Sequence, residues 1–132
     1  YSRLMAADEP GTLAALKALR ATFAGQAAEF GGREFGSVGD SLMAEFPSAV
    51  NAVWAALAIQ DAVAAANAAL PPARRMLLRA GVNLGDVIEE KGGFFGDAVN
   101  VAARLQALAK PGGVLISGAV YDQVHAKLEA RY

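Results

Sequence analysis

A run of largely apolar residues from Ala49 to Leu70, bracketed by Pro47-Ser48 and Pro71-Pro72, constrains this chain more than any other feature. The first pair starts a helix and the second stops it, because proline lacks the N–H that a helix interior needs and its ring clashes with the preceding turn. The run is long enough to raise the question of a membrane span. Gln60, Asp61 and Asn67 interrupt it, and alanine dominates it, so it reads as a helix packed inside a protein. Trp54 falls at apolar spacing with Val50, Val53 and Leu57, which assigns it to a core or an interface.

Such a helix has to be covered, and the flanking segments supply the cover. Leu13 to Phe30 carries Leu13, Leu16, Leu19 and Phe23 at helical spacing, with capping and first-turn residues in Asp8-Glu9-Pro10-Gly11-Thr12 and a stop at Gly31-Gly32. Arg33–Val38 and Ser41–Phe46 flank Gly39-Asp40 and read as a β-hairpin. Arg75 to Val82 alternates as a strand through Met76, Leu78, Ala80 and Val82. Asn83 to Asp86 reads as a turn, Val87-Ile88 as a short strand, and Lys91-Gly92-Gly93 as a flexible loop. Phe94 to Ala109 reads as a helix closed by Lys110-Pro111-Gly112-Gly113, followed by a buried strand at Val114–Ser117 and a helix at Ala119–Leu128. This order predicts one α+β domain, a ferredoxin-like sandwich with helices packed on a mostly antiparallel sheet.

Composition narrows the functions. Twelve Lys and Arg against 13 Asp and Glu give a formal charge of -1. A nucleic-acid binder needs a basic stripe to displace counterions, so the near balance argues against that class, and the candidate strands offer Phe35 and Phe46 but no basic cluster of the kind an RNA platform carries. One nucleotide could still bind, since bound metal supplies its own charge. The absence of cysteine excludes disulfides and thiolate chemistry.

Two segments concentrate the polar chemistry. Asn100 and Arg104 stand four apart on one predicted helix and project from the same side, while Val101, Leu105 and Leu108 form the face expected to pack inward. Gly39-Asp40 sits at the predicted hairpin tip. From spacing alone, Asp40 is a solvated turn carboxylate and Asn100 and Arg104 are ordinary residues of an amphipathic helix.

The surrounding sequence says more. Gly39-Asp40-Ser41-Leu42-Met43-Ala44-Glu45-Phe46 resembles the metal-binding hairpin of class III nucleotidyl cyclases. Phe95-Gly96-Asp97-Ala98-Val99-Asn100-Val101-Ala102-Ala103-Arg104-Leu105 resembles their catalytic helix almost residue for residue. Pro111-Gly112-Gly113-Val114-Leu115-Ile116-Ser117 is similar to the strand that follows it, and Tyr1–Met5 with Asp8–Thr12 is similar to the first helix entry. The resemblance runs the whole length of the chain and is nearest the bacterial adenylate cyclase branch.

It implies conversion of ATP, with GTP as the alternative, to a cyclic nucleotide and pyrophosphate. Two Mg2+ or Mn2+ ions per site are implied, with Asp40 as a ligand. It also implies that Asn100 orients the ribose and that Arg104 stabilises charge on the α-phosphate. The metal carboxylates and the Asn-Arg pair come from different subunits in this family, so a homodimer with shared sites is implied. A cytoplasmic setting and no membrane span in this chain are expected.

Two positions depart from the family. Gly36 stands where a base-selecting Lys is expected, and Gly93 where a base-selecting Asp is expected. The other metal Asp would fall before Tyr1, and the family's first strand and last strands are expected outside residues 1–132. The departures support an alternative, a degenerate cyclase homology domain that serves regulation or dimerisation without turnover. His125, Gly85-Asp86 and Arg74-Arg75 read as surface or turn residues.

Overall fold

A computed structural model describes residues 9–38, 41–85, 88–90 and 93–131. The elements are α1 (Glu9–Glu29), β1 (Arg33–Val38), β2 (Ser41–Glu45), α2 (Ala49–Ala68), a 3-10 turn (Pro72–Arg74), β3 (Ala80–Val82), β4 (Ile88–Glu90), β5 (Gly93–Phe95), α3 (Asp97–Leu108), β6 (Val114–Ile116) and α4 (Gly118–Arg131). The architecture is α+β, as expected.

Local chemistry fixes the helix ends. Ser48 is extended, and its Oγ accepts the Asn51 N–H at 3.3 Å, which satisfies one of the first-turn donors of α2. At the other end, Arg75 Nε donates to the carbonyls of Asn67 at 2.8 Å and Leu70 at 3.0 Å, groups that a following Pro-Pro pair cannot serve. In α1 the Gly32 N–H reaches the Ala27 carbonyl at 2.7 Å and Gly31 reaches Ala28 at 3.1 Å, closing the helix at the predicted glycine pair. Ser117 Oγ accepts from Val120 at 3.2 Å at the start of α4.

The described strands form three two-stranded pieces. β1–β2 and β4–β5 are antiparallel, and β3–β6 is parallel. A parallel pair requires a crossover, here carried by β4, β5 and α3. Arg33 lies opposite Glu45 in the hairpin, with its Nε at 2.9 Å and Nη2 at 2.6 Å from one carboxylate oxygen.

The expected Arg75–Val82 strand contracts to Ala80–Val82. Side chains of α2 reach carbonyls of this segment and of the turn before β6. Asn67 Nδ2 donates to the Met76 carbonyl at 2.7 Å, and Gln60 Nε2 donates to Leu78 at 3.0 Å and to Gly113 at 2.9 Å. Two of the three polar interruptions of the apolar run, Gln60 and Asn67, are therefore structural and buried, whereas Asp61 is exposed. The helix expected from Phe94 begins only at Asp97, because Phe94 and Phe95 pair with Glu89 and Ile88. Gly93 opens β5 opposite Glu90 and does not belong to a loop.

The core gathers Val53 of α2 with Val120 and Val124 of α4, and Ala49, Val50, Leu57, Val82 and Ile116 pack on it. By length and composition, α2 is the one described helix that could cross a membrane. Its packing against α1, α4, β3 and β6 makes it a core helix here. Trp54 is partly covered, and its indole Nε1 is buried with no hydrogen-bond partner among the described residues.

Candidate active site

The helix that carries Asn100 and Arg104, α3, starts from Gly96, whose φ of 138° lies in a region that side-chain-bearing residues rarely adopt. The Gly96 carbonyl accepts from Val99 at 3.2 Å and Asn100 at 3.4 Å, which commits the chain to a helix within one turn. Asp97 is exposed in that turn, where a carboxylate complements the positive end of the helix dipole.

From there α3 has two sides. Ala98, Val101, Ala102, Leu105 and Gln106 are partly covered and Ala109 is buried, whereas Asn100, Ala103, Arg104 and Ala107 are exposed. The covered side rests on β3 and β6. Helical geometry turns Asn100 about 200° from Ala98, so the two polar side chains lie away from the strands. Leu108 corrects the expectation of an inward face made with Val101 and Leu105. It is 76% exposed, since it stands at the flank of the packed stripe in the last turn. It lies one turn beyond Arg104 on the exposed side.

Gly36 falls inside β1 where the register with β2 shifts between Glu34 and Ser37. Glycine in a strand interior marks such bulges, so this position has a backbone role as well as a missing side chain. β1 lies against β5, the strand that Gly93 opens, so Gly36 and Gly93, the two departures from the family, occupy neighbouring strands. Asp40 lies outside the described residues; the strands on either side of it end in the Val38–Ser41 pair. Among the described residues no group of three His, Cys, Asp or Glu side chains converges on a common point.

Asn83 was legible only as part of a turn, yet its Nδ2 donates to the Ala98 carbonyl in the first turn of α3 at 3.1 Å. Its even spacing with Gly81 and Gly85 is the signal that could have found it. An open pocket of about 440 Å³ lies beside it, lined by Asn83, Leu84, Gly85, Gly96, Asp97, Ala98 and Val101. Neither Asn100 nor Arg104 lines it. His125 is exposed, stacked on Tyr121 with ring centroids 5.2 Å apart, and takes no part in the site.

Residues 1–131 match the family described as the adenylate and guanylate cyclase catalytic domain. The chain belongs to that family. A Rhizobium meliloti protein named "Putative adenylate cyclase 3" is 48% identical over 130 residues, 98% of this chain. The chain spans 22% of the length of that relative. The crystal structure of an adenylate/guanylate cyclase/hydrolase from Silicibacter pomeroyi is 36% identical and superposes with a TM-score of 0.83 over 96% of this chain and 74% of that one. The fold also matches an adenylate cyclase from Trypanosoma brucei, studied in its monomeric state, at 21% identity and a TM-score of 0.76, covering 98% of this chain and 72% of that one.

Proposed function

We propose that this cyclase-family domain converts ATP to cyclic AMP and pyrophosphate at a site shared between two copies of the chain, in cyclic-nucleotide signalling in the cytoplasm. The ribose 3′-oxygen attacks the α-phosphorus of the same nucleotide. The O3′–Pα bond forms, the bond from Pα to the bridging oxygen breaks, pyrophosphate leaves, and the hydroxyl proton passes to solvent. Arg104 offers a planar donor fork to the α-phosphate oxygens as charge builds on them, and Asn100 orients the ribose. Asp40 would hold Mg2+ or Mn2+, two ions per site, which neutralise the phosphates when bound.

The observation that carries this reading is the joint exposure of Asn100 and Arg104 on the side of α3 turned away from the strands, inside a sequence of the cyclase family. Polar side chains presented by a helix whose other side is locked onto a sheet suit a site completed by a second copy. The test is to incubate the full-length dimeric protein with ATP or GTP and Mn2+ and to separate the products by chromatography. Cyclic AMP is expected, and Arg104→Ala lowers kcat by about 100- to 1,000-fold. Absence of cyclic product from either nucleotide overturns the reading.

A second reading has its own support. Gly36 at a bulge and Gly93 on the neighbouring strand leave no side chain at the two base-selecting positions. A pocket that does not pair with the purine edge discriminates weakly between bases. On this reading the domain is degenerate and serves dimerisation or regulation, binding ATP and GTP alike without turnover. Rapid turnover by the wild-type protein rules it out.

A further inference from the structure

Between Gly81 and Gly85 the chain meets α3 at every second residue. A Cβ on Gly81 would overlap the carbonyl oxygen of Ala102 and the amide nitrogen of Gln106, and would stand 3.0 Å from the Gln106 Cα. Asn83 donates its side-chain amide to the Ala98 carbonyl at 3.1 Å. A Cβ on Gly85 would stand 2.8 Å from the Ala98 Cβ. Val82, between them, packs the other way onto the Val53–Val120–Val124 core.

We infer that Gly81, Asn83 and Gly85 form a seat that sets the depth and register of α3, with Asn83 acting as a positioning residue for Asn100 and Arg104. The inference rests on the cyclase reading for what is being positioned, and on the geometry alone for the seat. At Gly81 the contact is strand backbone against helix backbone, where no flexible side chain can give way. Added bulk there or at Gly85 moves the helix itself. The Asn83 bond fixes the first helical turn, which a steric contact alone would leave free to slide. Because Asn100 and Arg104 project from the far side of the same rigid helix, a displacement at the seat reaches them nearly undiminished. None of the three seat residues needs to touch the nucleotide.

The spacing supplies its own control. Gly85→Ala drives a methyl into the Ala98 Cβ, whereas the Ala98 Cα lies 3.9 Å away, an ordinary contact. Ala98→Gly therefore relieves the clash that Gly85→Ala creates. A misplacement of about 1 Å can cost about 100-fold in rate, so in the full-length protein Gly85→Ala is expected to lower kcat at least about tenfold while the nucleotide KM stays within about twofold. The double variant Gly85→Ala/Ala98→Gly regains most of the loss, and Asn83→Ala lowers kcat with KM similarly unmoved. A merely destabilising change would not be reversed by inserting a helix-weakening glycine.

A second measurement is independent of turnover. Spin labels on Ala103→Cys of α3 and Gln123→Cys of α4, both exposed sites, report the helix separation within these 132 residues, which have no cysteine of their own, after any cysteine elsewhere in the full-length protein is replaced by serine. The label distance is expected to shift in Gly85→Ala and to return in the double variant. If the wild type makes no cyclic product, the functional reading fails and the label distances alone judge the seat. An unshifted distance in Gly85→Ala, or a double variant that recovers neither distance nor rate, overturns the inference.

Discussion

Gln60 joins the helix core to both segments that lead into the β3–β6 pair, and replacing it gives a direct measure of how that junction is held. Its Nε2 donates to the Leu78 carbonyl at 3.0 Å and to the Gly113 carbonyl at 2.9 Å, and the residue is only 9% exposed. Gln60→Met keeps the volume and removes both donors. Each carbonyl retains another partner, Leu78 from the Gly112 N–H at 2.7 Å and Gly113 from the Ala80 N–H at 3.1 Å, so neither is orphaned. The cost is then two net hydrogen bonds, about 2 kcal/mol in all. For a domain of this size that is a fall in melting temperature of about 8 °C. Fluorescence of Trp54, the only tryptophan in the chain, follows the unfolding. Gln60→Glu is more severe, because it faces a carboxylate with two carbonyl oxygens. The introduced carboxyl holds its proton to higher pH in the folded state than in the unfolded state. The folded state therefore binds more protons across that window, and stability falls as pH rises through it. The deficit of Gln60→Glu is accordingly larger at pH 8 than at pH 5. A Gln60→Met melting point within a degree of wild type, or a Gln60→Glu deficit independent of pH, refutes the argument.

Other outcomes test the site and the frame. If the active sites are shared across a homodimer, mixing Asp40→Ala with Arg104→Ala protein restores activity to about a quarter of wild type, since half the dimers carry one intact site; a mixture as inactive as its parents counts against sharing. Gly36→Lys with Gly93→Asp is expected to raise the ratio of ATP to GTP turnover, measured as the two kcat/KM values, and an unchanged ratio removes these positions from base reading. Ser48→Ala withdraws the cap on α2 and costs about 1 kcal/mol in urea unfolding with no change in nucleotide KM; a shift in KM would tie that cap to the site.

The helices were legible because their signals are local. Pro47-Ser48 and Pro71-Pro72 bracket α2 as read, and Gly31-Gly32 closes α1 by hydrogen bonds within its own last turn. The β1–β2 hairpin was equally legible from two short runs about a turn pair. Strand extent was not. Whether the Met76 carbonyl meets a strand or the Asn67 side chain depends on what stands beside it in space, and alternation is the same in both cases. The helix start at Phe94 failed for a similar reason, since Phe94 and Phe95 are claimed by β4. Leu108 was expected inward because heptad spacing aligns it with Val101, but the strands under α3 do not cover its flank of the last turn.

By itself, then, the sequence determined the order of the four helices and the first hairpin, the α+β class, the cyclase family and the pairing of Asn100 with Arg104 on one helix, but not the strand at Gly93–Phe95. Each of these is carried by residues adjacent in the chain or one helical turn apart. The tertiary structure decided which side of that helix is free, that Gly36 sits at a bulge against the Gly93 strand, and that Gly81, Asn83 and Gly85 seat α3. Those facts depend on the distance of closest approach between elements far apart in sequence, which no local pattern specifies.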